Sequence, residues 1–263
     1  MLTAPCEWDV VVDALWIGLA TYNEAANLPL VLSELRQVVP HAHIVIVDDG
    51  SPDGTGEVAD RWAATDCRIH VIHRECKQGY ASAQVAAARM ALAAGPAFFV
   101  SMDADLSHEP AAVPQLVSAL AEADVAVGSR YVEGGGTPGW SWWRRWLSRW
   151  GNLAFGYMGG LRVQDASSGF RAYRADALSR LDLGSVDARG YALLPMVLRR
   201  CQEARLRVCE VPIVFREREY GASKLSWAIL REQLWLLLRL MASRLRAHCG
   251  TKAQRTEPKG GRP

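Results

Sequence analysis

The sequence has no run of the roughly 18–20 apolar residues that a helix needs to cross a bilayer. The longest candidate, at 234–238, is soon interrupted by Arg239. Near the N-terminus, Glu7, Asp9 and Asp13 stand where a secretory signal would have a basic start and an apolar stretch. We therefore expect a cytoplasmic protein without a membrane-spanning helix.

The sequence also lacks the cysteine spacings that are typical of metal sites and of disulfide-bonded domains. The six cysteines contain no C-x-x-C pair and no spacing typical of a zinc site or a disulfide framework, which predicts that they are reduced. A formal net charge of only +2 gives no indication of a nucleic-acid partner. The first predicted strand is not followed by G-x-G-x-x-G, which disfavours the alternative of an NAD-dependent dehydrogenase.

The composition is that of a globular protein with one core. Half of the 263 residues are hydrophobic and 22% are charged. Short β-rich runs alternate with amphipathic stretches up to about residue 129, which indicates an α/β fold with a Rossmann-like sheet. Strands are predicted at 15–19, 43–47, 68–72, 97–102 and 125–128, and helices at 25–38, 56–64, 81–94 and 111–121.

The character of the chain changes after residue 130. A Gly-rich loop leads into a Trp- and Arg-rich amphipathic segment, the two together spanning 134–158, and 208–215 is predicted to be a further strand. We expect an N-terminal leader at 1–12, one main domain at 13–222, an amphipathic helix at 223–247 and a disordered basic tail at 248–263.

Three polar segments follow predicted strands, where a wound parallel sheet places its ligand-binding loops. These are Thr21-Tyr22-Asn23-Glu24, Asp48-Asp49-Gly50-Ser51 and Asp103-Ala104-Asp105. The two carboxylates of the third segment can hold a divalent cation, which in turn can bridge the phosphates of a nucleotide sugar. An acidic turn or a helix cap is the structural alternative for both acidic segments.

The motifs from Thr21 to Lys224 resemble those of the dolichol-phosphate mannose synthases and bacterial polyprenol-monophosphomannose synthases. These enzymes are family-2 glycosyltransferases of the GT-A fold, which has a mixed, mostly parallel sheet flanked by helices. The matching motifs occur in the expected order: Tyr22-Asn23-Glu24, 47–55, Asp103-Ala104-Asp105-Leu106-Ser107-His108, Gly128-Ser129-Arg130-Tyr131, 167–171 and Gly221-Ala222-Ser223-Lys224-Leu225.

The resemblance implies transfer of mannose from GDP-mannose to a polyprenyl phosphate, with inversion and with Mg²⁺ or Mn²⁺ as cofactor. It implies a catalytic set of Asp103, Asp105, Arg130 and Lys224, and metal contacts from Asp103, Asp105 and Ser107. The implied contacts to the acceptor phosphate come from Arg130, Arg144, Ser148 and Lys224. The implied nucleotide-sugar pocket comprises Ala20, Tyr22, Glu24, Val47, Asp49, Asp103, Ala104, Asp105, Arg130, Arg218 and Lys224.

Two departures from the family pattern bear on the donor. Ala20 stands where proline is usual, and Lys77-Gln78-Gly79-Tyr80-Ala81 replaces the commoner Gly-Leu-Gly loop. The second change leaves a UDP-sugar such as UDP-glucose as the alternative donor. A non-catalytic lipid-binding module is a further alternative.

Two features of the sequence favour a lipid phosphate as the acceptor: a missing motif and a tryptophan-rich segment. The Gln-x-x-Arg-Trp motif of polymer-forming relatives, which need a general base, is absent, whereas a phosphate monoester is already largely ionised at neutral pH. Trp143, Trp146, Leu147 and Trp150 fall on one predicted helical face, in a segment where five tryptophans occur at 140–150. We expect peripheral contact with the cytoplasmic face of a membrane, and the presence of a membrane-anchoring partner protein is left open.

Overall fold

A computed structural model describes residues 14–157, 160–183 and 193–217. The predicted leader, the C-terminal helix and the basic tail lie outside these residues. Seven strands in this described part of the chain form one sheet: β1 Leu15–Thr21, β2 His43–Asp48, β3 Ile69–His73, β4 Phe98–Asp103, β5 Val125–Ser129, β6 Arg171–Arg174 and β7 Val208–Pro212.

Within the same described ranges, seven α-helices connect or flank the strands. They are α1 Leu28–Val38, α2 Thr55–Thr65, α3 Tyr80–Ala93, α4 Val113–Ser118, α5 Trp142–Tyr157, α6 Ala175–Ser179 and α7 Leu193–Glu203. Short 3₁₀ turns, Pro110–Ala112 and Ala119–Ala121, precede and follow α4.

The strand order is β3-β2-β1-β4-β6-β5-β7. Neighbouring strands are parallel except where β6 pairs with β4 and with β5. The prediction of a mixed, mostly parallel sheet flanked by helices is thus confirmed. The core lies on both faces of the sheet, with α1, α2 and α4 packed on one face and α3, α6 and α7 on the other.

The sequence pattern located the first five strands and also β7, which ends three residues before the predicted 208–215 strand does, but it missed other later elements. Strand β6 and helices α6 and α7 were not predicted. Arg171 explains the failure for β6, because a four-residue strand that begins and ends with arginine has no apolar alternation to recognise. Arg171 is nevertheless fully buried, since its guanidinium donates to the backbone oxygens of residues 166, 168 and 194 at 2.8–2.9 Å.

Helix α1 begins three residues later than the predicted 25–38 helix. Pro29 lies in its first turn, where the missing N–H costs no hydrogen bond. The preceding residues instead form a turn in which the amides of Asn27 and Leu28 donate to the carbonyl oxygen of Glu24. This turn keeps Tyr22 and Glu24 in a loop at the end of β1.

Candidate active site

The three polar segments found in the sequence meet at one edge of the sheet. Strand β1 lies between β2 and β4, and all three are parallel. Ala20 is in register with Val47 on one side and with Asp103 on the other. Three of the predicted nucleotide-pocket residues therefore form a single row across the sheet.

The loops after β1 and β2 are joined by side-chain hydrogen bonds. The amides of Asn23, Glu24 and Ala25 donate to Ser51 Oγ, Thr55 Oγ1 and Asp53 Oδ2 at 2.9–3.1 Å. Burial by itself would raise the pKa of Asp53, but hydrogen bonds from Thr55 and from the Ala25 amide outweigh it and hold that pKa below its usual value. Asp53 is thus a structural carboxylate that fixes the position of the first loop.

Asp49 anchors a third loop over the same edge. Its buried carboxylate accepts hydrogen bonds from Arg74 Nη1 at 3.0 Å and from the amides of Gln78 and Gly79 at 3.0 and 2.6 Å. Gly50 adopts φ 70°, and a Cβ there would stand 3.1 Å from the Arg74 carbonyl oxygen. Arg74 was not predicted to take part, because its role depends on a contact between loops 25 residues apart.

Tyr22 and Glu24 are both half-buried at the loop edge. The Lys77 ammonium lies 3.5 Å from the centroid of the Tyr22 ring, close enough for a cation–π contact. Glu24 Oε2 accepts a hydrogen bond from Asn27 Nδ2 at 2.8 Å. The divergent loop that contains Lys77 therefore borders the predicted nucleotide pocket.

The segment after β4 folds back on itself. Ser107 donates its amide, at 3.1 Å, and its hydroxyl to Oδ1 of the buried Asp105. Leu106 adopts φ 61°, which produces the reversal. Asp103 and Asp105 are thereby held two residues apart in one tight loop, with the Ser107 hydroxyl beside them.

His108 holds this acidic loop through a hydrogen bond to the backbone of Asp103. Its Nδ1 accepts the Asp103 amide at 3.0 Å, so the ring proton of the neutral imidazole is on Nε2. Burial lowers the His108 pKa, although the charges of Asp103 and Asp105 act in the opposite direction. The ring stacks on Phe170 with centroids 4.9 Å apart. The predicted site residues do not include His108, since a His before Glu-Pro is typical of a helix start.

Asp103, Asp105 and Ser107 form a donor set that suits a hard divalent cation. All three offer oxygen, the ligand that Mg²⁺ and Mn²⁺ prefer. Within 14–157, 160–183 and 193–217 no group of three or more His, Cys, Asp or Glu side chains is arranged for a metal. Two carboxylates are nevertheless sufficient where water and substrate phosphates complete the coordination.

Arg130, at the end of β5, is held in a buried ion pair. It donates from Nε and Nη2 to both oxygens of Asp165 at 2.7 Å, and from Nη2 to Ser167 Oγ at 2.7 Å. Burial favours the neutral form of each partner, but their mutual attraction raises the pKa of Arg130 and holds the pKa of Asp165 low. Arg130 is therefore a cation in a fixed orientation.

Helix α5 brings Arg144 and Ser148 to the same region. The guanidinium carbon of Arg144 lies 4.1 Å from the centroid of the Trp140 ring, and that of Arg130 lies 5.6 Å from it. Ser148 Oγ accepts a hydrogen bond from the Tyr131 hydroxyl at 2.6 Å. The structure thus groups three of the predicted acceptor-phosphate residues around two aromatic rings.

Asn152 connects α5 to the Arg130 ion pair. Its Nδ2 donates to Ser167 Oγ and its Oδ1 accepts the Ser167 amide, at 3.0 and 3.1 Å. Because Ser167 Oγ also accepts from Arg130, the helix and the end of β5 share one hydrogen-bond network. Asn152 is buried, and the sequence motifs did not indicate it.

The predicted amphipathic helix is confirmed in α5. Its outer face exposes large apolar side chains, with Trp142 79% and Tyr157 86% accessible. Between these ends the same face continues through Trp143, Trp146, Leu147, Trp150 and Leu153. We call this set the aromatic face. None of the helices in the described ranges is long and apolar enough to cross a membrane.

The remaining predicted cations, Arg218 and Lys224, lie outside the described residues. The last described segment runs directly beside the acidic loop: the Arg216 amide donates to the Ser107 carbonyl oxygen at 3.1 Å, and the Phe215 amide donates to the Gly136 carbonyl oxygen at 2.9 Å. The chain therefore passes Ser107 two residues before Arg218.

Two curated relatives match most of the chain. An undecaprenyl-phosphate mannosyltransferase of Micrococcus luteus is 44% identical over 214 residues, which cover 81% of this chain and 88% of the relative. A polyprenol monophosphomannose synthase of Mycolicibacterium smegmatis is 42% identical over 219 residues, covering 82% and 83% of the two chains. The family resemblance inferred from the motifs is confirmed by these relatives.

Solved structures show the same fold at lower identity. Glucosyl-3-phosphoglycerate synthase from Mycobacterium tuberculosis, in complex with Mn²⁺, UDP-glucose and phosphoglyceric acid, superposes with a TM-score of 0.66 at 20% identity, covering 92% of this chain and 86% of its own. A mannosyltransferase from Pyrobaculum calidifontis in complex with GDP-Man and Mn²⁺ gives 0.56 at 19% identity, covering 89% and 64%.

The family model for glycosyl transferase family 2 matches residues 16–182, which include the acidic strand ends and the Arg130 ion pair. With this match over more than half of its length, the chain belongs to glycosyl transferase family 2.

Proposed function

We propose that this glycosyltransferase transfers mannose from GDP-mannose to a polyprenyl phosphate, with inversion of the anomeric configuration. The observation that carries the proposal is one grouping of charges. An acidic loop at Asp103 and Asp105 lies at the sheet edge, and an arginine cluster at Arg130 and Arg144 adjoins a helix with an exposed aromatic face. The names of the two relatives at 42–44% identity support mannose and a polyprenyl acceptor.

The donor is assigned to the acidic side of the pocket. The loops after β1 and β2 would hold the nucleoside through Tyr22, Glu24 and Asp49, with Ala20 and Val47 forming the floor. Asp103 and Asp105, with Ser107, would hold Mg²⁺ or Mn²⁺ against the diphosphate, and Ala104 would lie beneath it. When bound, this cation supplies charge neutralisation to the departing nucleoside diphosphate. His108 keeps the Asp103 backbone in place through its hydrogen bond.

The acceptor is assigned to the arginine side. The second pKa of a phosphate monoester is about 6, so the group is largely dianionic at neutral pH. Its oxygen can therefore attack without losing a proton. That oxygen forms a bond to the anomeric carbon while the bond from this carbon to the diphosphate breaks, and the electron pair leaves with GDP. Arg130, Arg144 and Ser148 would hold the phosphate in line, with Arg218 and Lys224 adding positive charge.

The aromatic face of α5 would place this site at a membrane surface. Tryptophan and tyrosine rings favour the headgroup zone, and nearby arginines attract anionic lipid. A polyprenyl phosphate presents its charged group at that depth while its chain stays in the bilayer. We therefore infer that the protein is peripheral, on the cytoplasmic face.

The proposal is tested by incubating the purified protein with Mg²⁺, polyprenyl phosphate in detergent, and either radiolabelled GDP-mannose or radiolabelled UDP-glucose. We expect an acid-labile, labelled product in the organic phase when GDP-mannose is the sugar donor, and no such product when UDP-glucose is. Transfer from UDP-glucose alone would replace the proposed donor. Nucleotide-sugar binding with no transfer to any polyprenyl phosphate would exclude the proposed acceptor.

A further inference from the structure

Trp140 has a buried hydrogen-bond donor for which the described residues provide no acceptor. The side chain is 8% exposed, and its indole Nε1 is among the buried polar atoms without a hydrogen-bond partner in the described part of the chain. The backbone of Trp140 is paired, since its amide donates to the Thr137 carbonyl oxygen and its own carbonyl oxygen accepts Arg145 Nη2 at 3.2 Å. Buried N–H groups are nearly always hydrogen-bonded, so an orphaned donor indicates a ligand or another partner.

The surroundings of this ring favour an anion. The Arg144 guanidinium lies over one part of the ring system, 4.1 Å from its centroid, and Arg130 lies 5.6 Å away. Phe215 packs against the ring edge-on, with centroids 5.5 Å apart. Asp165 is paired with Arg130, and Glu217 is paired with Arg144.

The start of α5 adds to the same electrostatic field. Trp140 precedes the first residue of this 16-residue helix by two positions, and the first helical turn contains no acidic side chain. Backbone N–H groups at a helix start attract negative charge. The same helix carries the aromatic face, so an anion bound here would lie close to the surface assigned to the membrane.

We propose that the indole N–H of Trp140 donates a hydrogen bond to the phosphate of the lipid acceptor, beside Arg144. This inference rests on the proposed function and extends it by one binding residue. The indole N–H is a donor only and cannot be satisfied by a cation or by another donor. The diphosphate of the nucleotide sugar is the less suitable ligand for this N–H. Its proposed site is the acidic loop at Asp103 and Asp105, which the Arg216 amide borders.

The test compares Trp140→Phe and Trp140→His with wild type, in detergent and with a short-chain polyprenyl phosphate. Phenylalanine keeps an aromatic ring without an N–H, whereas histidine keeps a donor. We expect Trp140→Phe to raise the KM for the acceptor about tenfold or more, as for loss of a hydrogen bond to a charged group, with the KM for the donor changed less than about twofold. Trp140→His is expected to recover part of the acceptor affinity. Trp62→Phe, on α2, is the matched control for loss of a partly buried indole.

An unchanged acceptor KM in Trp140→Phe, or an equal rise for both substrates, would overturn the assignment. Wild-type protein that transfers nothing to polyprenyl phosphate would instead refute the proposed function.

A second measurement follows the indole N–H signals of wild-type protein labelled with ¹⁵N-tryptophan, and the spectrum of Trp140→His serves to assign them. Short-chain polyprenyl phosphate should move one indole N–H signal downfield, namely the signal that is missing in Trp140→His. Inorganic phosphate should move the same signal and compete with the acceptor. A shift by inorganic phosphate without competition would mean a phosphate site outside the reaction, and no shift with either ligand would equally contradict the proposal.

Discussion

Asp49 and Arg74 form a buried ion pair, with 3.0 Å between Oδ1 and Nη1 and with side chains only 5% and 7% exposed. The pair connects the end of β2 to the loop that precedes α3. The same carboxylate accepts two amides from that loop, so three hydrogen bonds depend on one side chain.

Arg74→Ala should therefore destabilise the protein strongly. Removing the cation leaves the Asp49 charge buried and unpaired by a side chain, which costs about 3–5 kcal/mol of unfolding free energy. Urea unfolding measures this cost. Arg199→Ala removes the i,i+4 partner of the exposed Glu203, from a side chain that is itself partly buried, and should cost about 1 kcal/mol or less. Equal effects of the two substitutions would show that the Asp49 pair does not support the loop.

Asp105→Asn should abolish most of the transfer activity and leave the fold intact. The amide oxygen of asparagine can still accept from the Ser107 amide and hydroxyl, so the loop geometry is kept. The lost carboxylate charge should reduce kcat about 100-fold or more, because cation binding at the diphosphate weakens. Initial rates over a range of Mn²⁺ concentrations provide the measurement.

Asp60→Asn is the control for this substitution, because Asp60 is an exposed carboxylate paired with His73. It should retain wild-type rates. Full activity of a folded Asp105→Asn protein would remove Asp105 from the metal site.

The sequence predicted the acidic side of the site better than the arginine side. Asp103 and Asp105 follow a β-rich run directly, and parallel strands bring such ends to one edge, so local pattern and simple topology were sufficient. Asp165, Ser167 and Asn152 have no comparable signal. Asp165 and Ser167 contact Arg130 across 35 and 37 positions of the chain, and Asn152 joins them through Ser167, 15 positions away. No local periodicity encodes such contacts.

Replacing Trp143, Trp146 and Trp150 together by serine should weaken binding to lipid vesicles. These three rings are half exposed or more on the aromatic face, so their loss removes apolar contact area without opening the core. Cosedimentation with vesicles containing anionic lipid should fall about tenfold or more, while calorimetry should give unchanged nucleotide affinity.

Leu30→Ser, an exposed apolar residue on α1, is the control for general surface hydrophobicity and should bind vesicles as wild type does. Undiminished vesicle binding by the triple variant would exclude the aromatic face as the membrane contact.

Thermal stability should decrease as the pH falls from about 7.5 to 5.5, in part because of His70. This ring stacks on Trp16, and its Nε2 lies 3.1 Å from His43 Nδ1. Burial lowers the folded-state pKa of His70 below 6.5, against the smaller opposite effect of Asp66. The unfolded chain therefore binds a proton more readily, so the stabilisation is complete above about pH 6.5 and is lost as the pH falls through the folded-state pKa.

His70→Phe keeps a ring against Trp16 and cannot be protonated, so its Tm should fall less over the same pH interval. The buried His108 remains in both proteins, so the difference between their two curves reports on His70 together with its contact to His43. Parallel curves would show that His70 does not contribute to the pH dependence.

The anomeric configuration of the product tests the proposed displacement most directly. Polyprenyl phosphate mannose, formed from GDP-α-mannose by the purified protein, can be assigned from its one-bond carbon–proton coupling at the anomeric carbon. Direct attack by the lipid phosphate predicts a β-linked product from the first turnover onward. An α-linked product would contradict the single in-line displacement.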